Sequence, residues 1–421
     1  MTTPVPWALP PGNAREPSRG DGDPVYTVGR GHAASVRRPR ISSLVAGLPP
    51  SGIREFFDIV ATMDDVISLG VGEPDFATPW HICDEVYFAL RSGETSYTSN
   101  WGLLELRQEI AAALERDYGA QYDPQRQVII TVGVSEGLDL ALRTVLEPGD
   151  EVLVPEPCFV AYPAAVLLAH GKPVTVPTTA AGGFKVTPDL LEARLTERTR
   201  ALILGNPNNP TGTVLSRSEL GALAEFAERH DLLVLADEIY DRLVYAEPHT
   251  CFATLPGMAE RTLLLNGFSK AYAMTGWRIG YVCGPPDIIA AMMCVHSYTM
   301  MCAPTVSQRA AVEALRHGRK EMERMVDSYN QRRRLFLSGL QRLGLPCVEP
   351  QGAFYAFPSI AHTGLSSAEC ATRLVHEQRL AAVPGTAFGA SGEGHLRCAY
   401  CSSPEALHEA LRRLEAFLRT V

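Results

Sequence analysis

Between about residues 100 and 290 the chain alternates short apolar runs with stretches of helical period, and that alternation limits its fold more than any other feature. The runs fall at 128–132, 151–154, 201–204, 232–236, 262–265 and 279–282. Strands separated by helices build a mainly parallel sheet covered by helices. Such a sheet binds ligands beyond the carboxyl ends of its strands. One covering helix is marked directly, because Ser216 and Glu219 form a capping box ahead of Leu220, Leu223, Phe226 and Ala227.

At 421 residues the chain exceeds the length at which a single core stops growing, so two domains are expected. A helical stretch at 304–343 leads into a second region. That region ends in a helix opened by Ser403 and Pro404, with Leu407, Ala410, Leu411, Leu414, Phe417 and Leu418 as its apolar stripe. Residues 1–40 hold seven prolines and six arginines against three acids, without helical or strand period, and are expected to form a disordered tail. There is no internal repeat.

Composition excludes several classes of function. Lys and Arg number 38 against 47 Asp and Glu, and a net charge of −9 offers no basic field to a nucleic acid. No run approaches the ~18 apolar residues that cross a bilayer. No apolar stretch follows the start as a secretory signal would, and Glu16, Asp21 and Asp23 argue against a transit peptide. The ten cysteines follow no disulfide framework, so reduced thiols and a cytoplasmic location are expected. Cys398 and Cys401 have CxxC spacing, but no second pair or His cluster completes a metal site; they read as alternation on a strand.

The chemistry-bearing residues follow the strands. Lys270 comes after the run at 262–265, where burial and a neighbouring cation would lower its pKa and make its amine a nucleophile; alone, a lysine on a loop is usually a surface group. Asp237 closes the run at 232–236, where an acid can hold a pyridine nitrogen protonated. A Walker-type metal-binding acid is the alternative, and it fails because the chain has no Gly-x-x-x-x-Gly-Lys-Ser/Thr loop. Asn209, in Asn206-Pro-Asn-Asn-Pro-Thr-Gly212, leaves the run at 201–204 in a rigid turn and adds amide donors.

Asn209-Pro-Thr-Gly, then Asp237-x-x-Tyr240, then Ser269-Lys270 with Arg278 eight residues on, resemble in order and spacing the class I aminotransferases of fold type I, which use pyridoxal 5'-phosphate (PLP). The similarity covers roughly residues 45–420. It implies an α/β fold with a mainly parallel seven-stranded sheet in a large domain and a smaller α+β domain. The boundaries would be an N-terminal arm and part of the small domain at 41–85, the large PLP-binding domain at 86–320 and the small domain at 321–421. By the same resemblance Lys270 would form the internal aldimine, a Schiff base with the cofactor, and Asp237 would pair with the pyridinium nitrogen. Asn209 and Tyr240 would bond the ring's phenolic oxygen, while Arg278 and Ser269 would hold the phosphate. The turn Gly133-Val134-Ser135 opens a helix whose N–H groups suit a phosphate, with the Ser135 hydroxyl beside them. Phe159 would stack on the ring, and Tyr97 would reach the phosphate of a neighbouring subunit, which implies a homodimer with shared active sites.

Arg397 resembles the arginine that binds the substrate α-carboxylate, a task suited to a planar fork, and Gly72 the glycine that lets backbone approach that group. Asn209 and Phe159 would also touch substrate. One position departs from the pattern: three residues before Lys270 many relatives carry a phosphate-binding serine, and here stands Gly267. The phosphate would then lean on Ser135, Ser269, Arg278 and Tyr97.

The expected reaction moves an amino group from an L-amino acid to a 2-oxo acid by ping-pong steps through Lys270. A lyase or amino-acid oxidase on the same scaffold is the alternative, because these residues mostly hold cofactor rather than choose an outcome. A noncatalytic PLP-binding sensor would need an N-terminal DNA-binding domain, for which the first 40 residues are too short and too proline-rich. The side-chain pocket is expected near Gly52 and Ile53 and near 296–301, where there is no arginine; Tyr298 and the methionines would suit an apolar or aromatic side chain or equally be core, and His296 would suit an acidic one.

Overall fold

Seven strands of one sheet carry the centre of the molecule: β2 (Val128–Thr131), β3 (Glu151–Glu156), β4 (Lys172–Pro177), β5 (Thr199–Gly205), β6 (Leu233–Asp237), β7 (Thr262–Gly267) and β8 (Gly280–Cys283). The computed structural model describes residues 40–48 and 63–421. The expectations for the tail at 1–39 and for Gly52 and Ile53 lie outside the described residues. From Leu44 onward the described residues belong to one compact unit.

The strand order is β2-β8-β7-β6-β5-β3-β4, and β8 alone runs antiparallel to its neighbours. The sheet therefore has the predicted mainly parallel character. Six of its strands coincide with the six apolar runs. The seventh, β4, is an edge strand whose Pro173 and Pro177 interrupt the apolar pattern and hide it from a reading by apolar runs.

Both faces are buried, with side chains alternating between them as the pleat requires. Val152, Val154, Ala201, Ile203 and Leu235 meet the helices α3 (Gly133–Val145) and α7 (Pro286–Thr299) on one face. Leu153, Leu202, Leu204, Val234 and Ala236 meet α6 (Arg217–Arg229) on the other. The capping box at Ser216 and Glu219 is formed as expected, each side chain bonding the other's backbone N–H. Between β1 (Ile67–Ser68) and the large sheet lie α1 (Trp80–Arg91) and α2 (Leu104–Tyr118); α4 (Ala161–Leu168) and α5 (Pro188–Glu192) follow β3 and β4.

The stretch expected as one long helix is two, α8 (Thr305–His317) and α9 (Arg319–Arg342), which divide at Gly318. A Cβ there would lie 2.7 Å from the Ala314 carbonyl and 3.1 Å from the Tyr272 ring, so the aromatic packs into the break. Beyond α9 come β9 (Tyr355–Ala356), α10 (Ser367–Gln378), β10 (Leu380–Ala381), β11 (Val383–Pro384), β12 (Leu396–Ala399) and α11 (Pro404–Leu418). Strands β11, β12 and β9 form a small antiparallel sheet, and β1 pairs with β10. In α11, Ser403 caps the helix and the predicted stripe is buried from Leu407 to Phe417, with Leu418 half-buried. Cys398 lies on β12 and Cys401 just past it, both buried.

Replacing Ser216 by Ala removes an exposed helix cap and is expected to cost about 1 kcal/mol. Ser216→Asp should restore most of it. Urea unfolding midpoints of the three proteins check this.

Candidate active site

All parallel strands of a sheet end on one edge, and here that edge delivers the polar residues. The carboxyl end of β2 leads to Val134 and Ser135, that of β3 to Phe159, that of β5 to Asn209, that of β6 to Asp237 and Tyr240, and that of β7 to Ser269 and Lys270. Because β8 runs the other way, Arg278 just before its amino end reaches the same edge. From the small sheet β12 adds Arg397 and β9 adds Tyr355, while Gly70 and Gly72 follow β1. These residues line one cavity of about 290 Å³. Eleven of the twelve residues singled out in the sequence meet there. Tyr97 does not: it is 80% exposed and outside this cavity.

Lys270 Nζ donates to the Gly72 carbonyl at 2.6 Å and lies 5.9 Å from the centre of the Phe354 ring. Burial lowers its pKa to about 8; Arg397 and Arg278 push the same way and Glu73 opposes them. Asp237 is the last residue of β6 and is buried. Its Oδ2 accepts from the Tyr162 hydroxyl at 2.7 Å and its Oδ1 from the Ile239 N–H at 3.2 Å. Burial raises its pKa to about 6 in spite of those bonds.

Arg397 is 3% exposed, donating to Asn209 Oδ1 at 3.0 Å and to the Gly70 carbonyl at 2.5 Å. Its guanidinium stacks on Tyr355 at 4.6 Å and on Phe388 at 4.8 Å. Its Nε is buried without a hydrogen-bond partner, and among the described residues Arg397 has no acid in ion-pair contact. Asp237 likewise has no ion-pair partner there. Buried charges are ordinarily paired. The cavity thus suits a ligand that offers an anion to Arg397 and a cationic group to Asp237.

Tyr162, which bonds Asp237, and Tyr355 are site residues that sequence reading missed; of the two, Tyr355 shapes more of the cavity. Its hydroxyl shares a 2.8 Å hydrogen bond with that of Tyr240, its ring carries Arg397, and a Cβ on Gly72 would fall 2.3 Å from its oxygen. That contact is a reason for glycine at 72. The signal available was the run Gly352-Ala-Phe-Tyr355 between apolar segments, which by itself reads as core.

Across the cavity the backbone at Gly133 has φ +75°, and a Cβ there would meet Arg278 Nη2 at 2.5 Å. The guanidinium therefore lies flat on the turn that opens α3. At the departure from the family pattern, a Cβ on Gly267 would stand 3.0 Å from both Gly280 Cα and the Ile279 carbonyl. The tight pairing of β7 with β8 accounts for the absence of a side chain. His296 is sealed and bonded to Glu136, so it does not offer itself to an acidic substrate. Tyr298, Met300 and Met301 are 88%, 52% and 46% exposed, which rules out a core role in this chain.

In the cofactor-free protein the Lys270 amine is neutral above about pH 8, so its rate of reaction with an aldehyde should rise through that pH and then level. An ordinary lysine would keep rising toward ~10.4. Stopped-flow absorbance across pH 6–10, an assay range of roughly two units either side of the Lys270 value, reads the difference.

A family model, aminotransferase class I and II, matches residues 64–414. An aspartate aminotransferase of Pyrococcus abyssi is 46% identical over 88% of this chain and 96% of its own length. An aromatic-amino-acid aminotransferase of Thermococcus litoralis is 45% identical over the same shares. The solved aspartate aminotransferase from Thermus thermophilus with maleate superposes with a TM-score of 0.87 at 38% identity, covering 91% of this chain and 100% of that one. The chain belongs to the aminotransferase class I and II family: it is a fold-type I aminotransferase that uses pyridoxal phosphate.

Proposed function

We propose that the chain moves an amino group from an L-amino acid to a 2-oxo acid by ping-pong steps, with Lys270 as the residue that carries the cofactor and moves the proton. The observation that carries this reading is the placing of a buried lysine amine, an unpaired buried carboxylate and an unpaired buried guanidinium in one cavity.

When bound, pyridoxal phosphate supplies an aldehyde for an amine and a ring that takes up the electrons released at the substrate's α-carbon. Lys270 Nζ would hold the cofactor through that aldehyde, and its amine, when free, is the base placed to take the proton from the substrate's α-carbon. Asp237, held by Tyr162 and the Ile239 N–H, keeps a proton on the ring nitrogen. Asn209 and Tyr240 serve the ring's phenolic oxygen, and Phe159 covers the ring face. Ser135, Ser269, Arg278 and the Val134 N–H take the phosphate. Arg397 binds the α-carboxylate beside Asn209, with Gly72 giving it room.

Tyr97 is read as reaching the phosphate of a second copy, in a homodimer with shared active sites. Its exposure supports this, as does that of Trp80, Tyr87 and Phe88 on the single helix α1, since contiguous exposed apolar side chains mark interfaces. The ten unpaired cysteines support a cytoplasmic setting. No helix among the described residues is long and apolar enough to cross a membrane. Within the compact unit we assign 86–320 to a large PLP-binding domain, 321–421 to a small one, and 41–85 to an arm and part of the small domain; the large sheet at 128–283 and the small sheet at 355–399 support that division.

Two variants test the reading. Lys270→Ala should retain cofactor only noncovalently, lose the visible absorbance band of the linked form, and turn over at background. Arg397→Lys should keep that band while raising the KM for the amino acid by about 10- to 100-fold, the loss expected of a buried charged hydrogen-bond fork. Release of ammonia in place of amino transfer to an added 2-oxo acid would sink the assignment of the reaction.

A further inference from the structure

Behind the turn that opens α3, two buried side chains form a contact that the roles above leave unused. His296 Nδ1 donates to Glu136 Oε1 at 2.7 Å, and Glu136 Oε2 accepts from the Val132 backbone N–H at 2.5 Å. The side chains are 0% and 8% exposed. Neither lines the cavity.

The local sequence leaves this helix start in need of such a tie. Val132 occupies the N-cap position and has no side chain that could cap the helix. Gly133, at φ +75°, contributes no side chain to hold the turn. The Glu136 carboxylate stands in for the missing cap by taking the Val132 N–H, much as the acid of a capping box does. His296 in turn holds the carboxylate from α7, so the turn is fixed to a second helix packed on the same face of the sheet. Glu136 does not line the cavity, so its charge stands off the space where it would oppose an anion bound by the N–H groups. His296 Nε2 is buried without a partner, so the ring makes its polar contact through Glu136.

We propose that Glu136 and His296 are a positioning pair that sets the 133–135 turn for the phosphate group of the cofactor. The proposal rests on reading that turn as the phosphate site. It makes the pair specific for phosphate: the ring and aldehyde of the cofactor are held by other residues.

The test measures dissociation constants of the cofactor-free protein by fluorescence titration, for pyridoxal phosphate and for pyridoxal, which has the same ring without the phosphate. Inorganic phosphate serves as competitor. Glu136→Gln, which keeps size and shape, and His296→Leu, which keeps bulk, are each expected to weaken pyridoxal phosphate about tenfold or more, the scale of a buried hydrogen bond to a charged group. Pyridoxal should bind unchanged, and phosphate should compete less well. His296→Asn, whose amide can place a donor near Nδ1, should recover most of the loss. Equal weakening of both ligands would show a general packing role and overturn the proposal, as would unchanged affinity for pyridoxal phosphate in either variant. If His296→Leu fails to fold, Glu136→Gln against His296→Asn decides the matter by the same ratio. Arg278→Ala is the control for the underlying reading: if it too leaves pyridoxal phosphate unaffected, the phosphate site has been misplaced, whereas loss with Arg278→Ala alone overturns only the role of the pair.

Discussion

The Arg397 guanidinium is buried without an acid beside it, and much of the site is built around that charge. Taking an ion out of water costs several kcal/mol when nothing replaces its hydration. Here the replacement is a carbonyl, an amide oxygen and two aromatic faces: Gly70, Asn209, Tyr355 and Phe388. None of these neutralises the charge, so the fork remains attractive to an anion. Gly70 follows β1, Asn209 leaves β5 and Tyr355 sits on β9, so holding one arginine ties the N-terminal part of the chain and the small sheet to the edge of the large sheet.

Lys270 and Asp237 are kept reactive by the same burial acting in opposite senses. Desolvation favours the neutral form of each, lowering the amine to about 8 and raising the carboxyl to about 6. The amine is thereby made a nucleophile near neutral pH. The carboxyl is made receptive to a cationic partner, which would return it to its charged form. Tyr240 and Tyr355 are joined through their hydroxyls in the same cavity, and the Tyr355 ring carries Arg397.

Much of this was legible because the motif residues sit at strand ends. The runs at 201–204, 232–236 and 262–265 are apolar on both faces, as central parallel strands are, and each is followed within five residues by a polar residue at the ligand edge. Asn209, Asp237 and Lys270 could therefore be placed before any coordinates. The edge strand β4 was hidden by its prolines, and the break at Gly318 by a helical pattern that runs straight through it. Tyr355 was missed because a tyrosine in an apolar run reads as core until its hydroxyl is seen to face another polar group.

The sequence by itself determined the class of the fold, the order in which the site residues arrive along the chain, and the caps at Ser216 and Ser403, because these depend on local period and on neighbours within a few residues. Tertiary structure alone decided what Arg397 stacks on, why glycine stands at 72 and 267, and that His296 is tied to Glu136 rather than offered to a substrate. Each of those outcomes is a contact between residues 9 to 283 positions apart, made when antiparallel and crossover connections bring separate strands, helices and loops together. A linear pattern carries the polarity of a side chain, and only the packed molecule settles which neighbour that polarity meets.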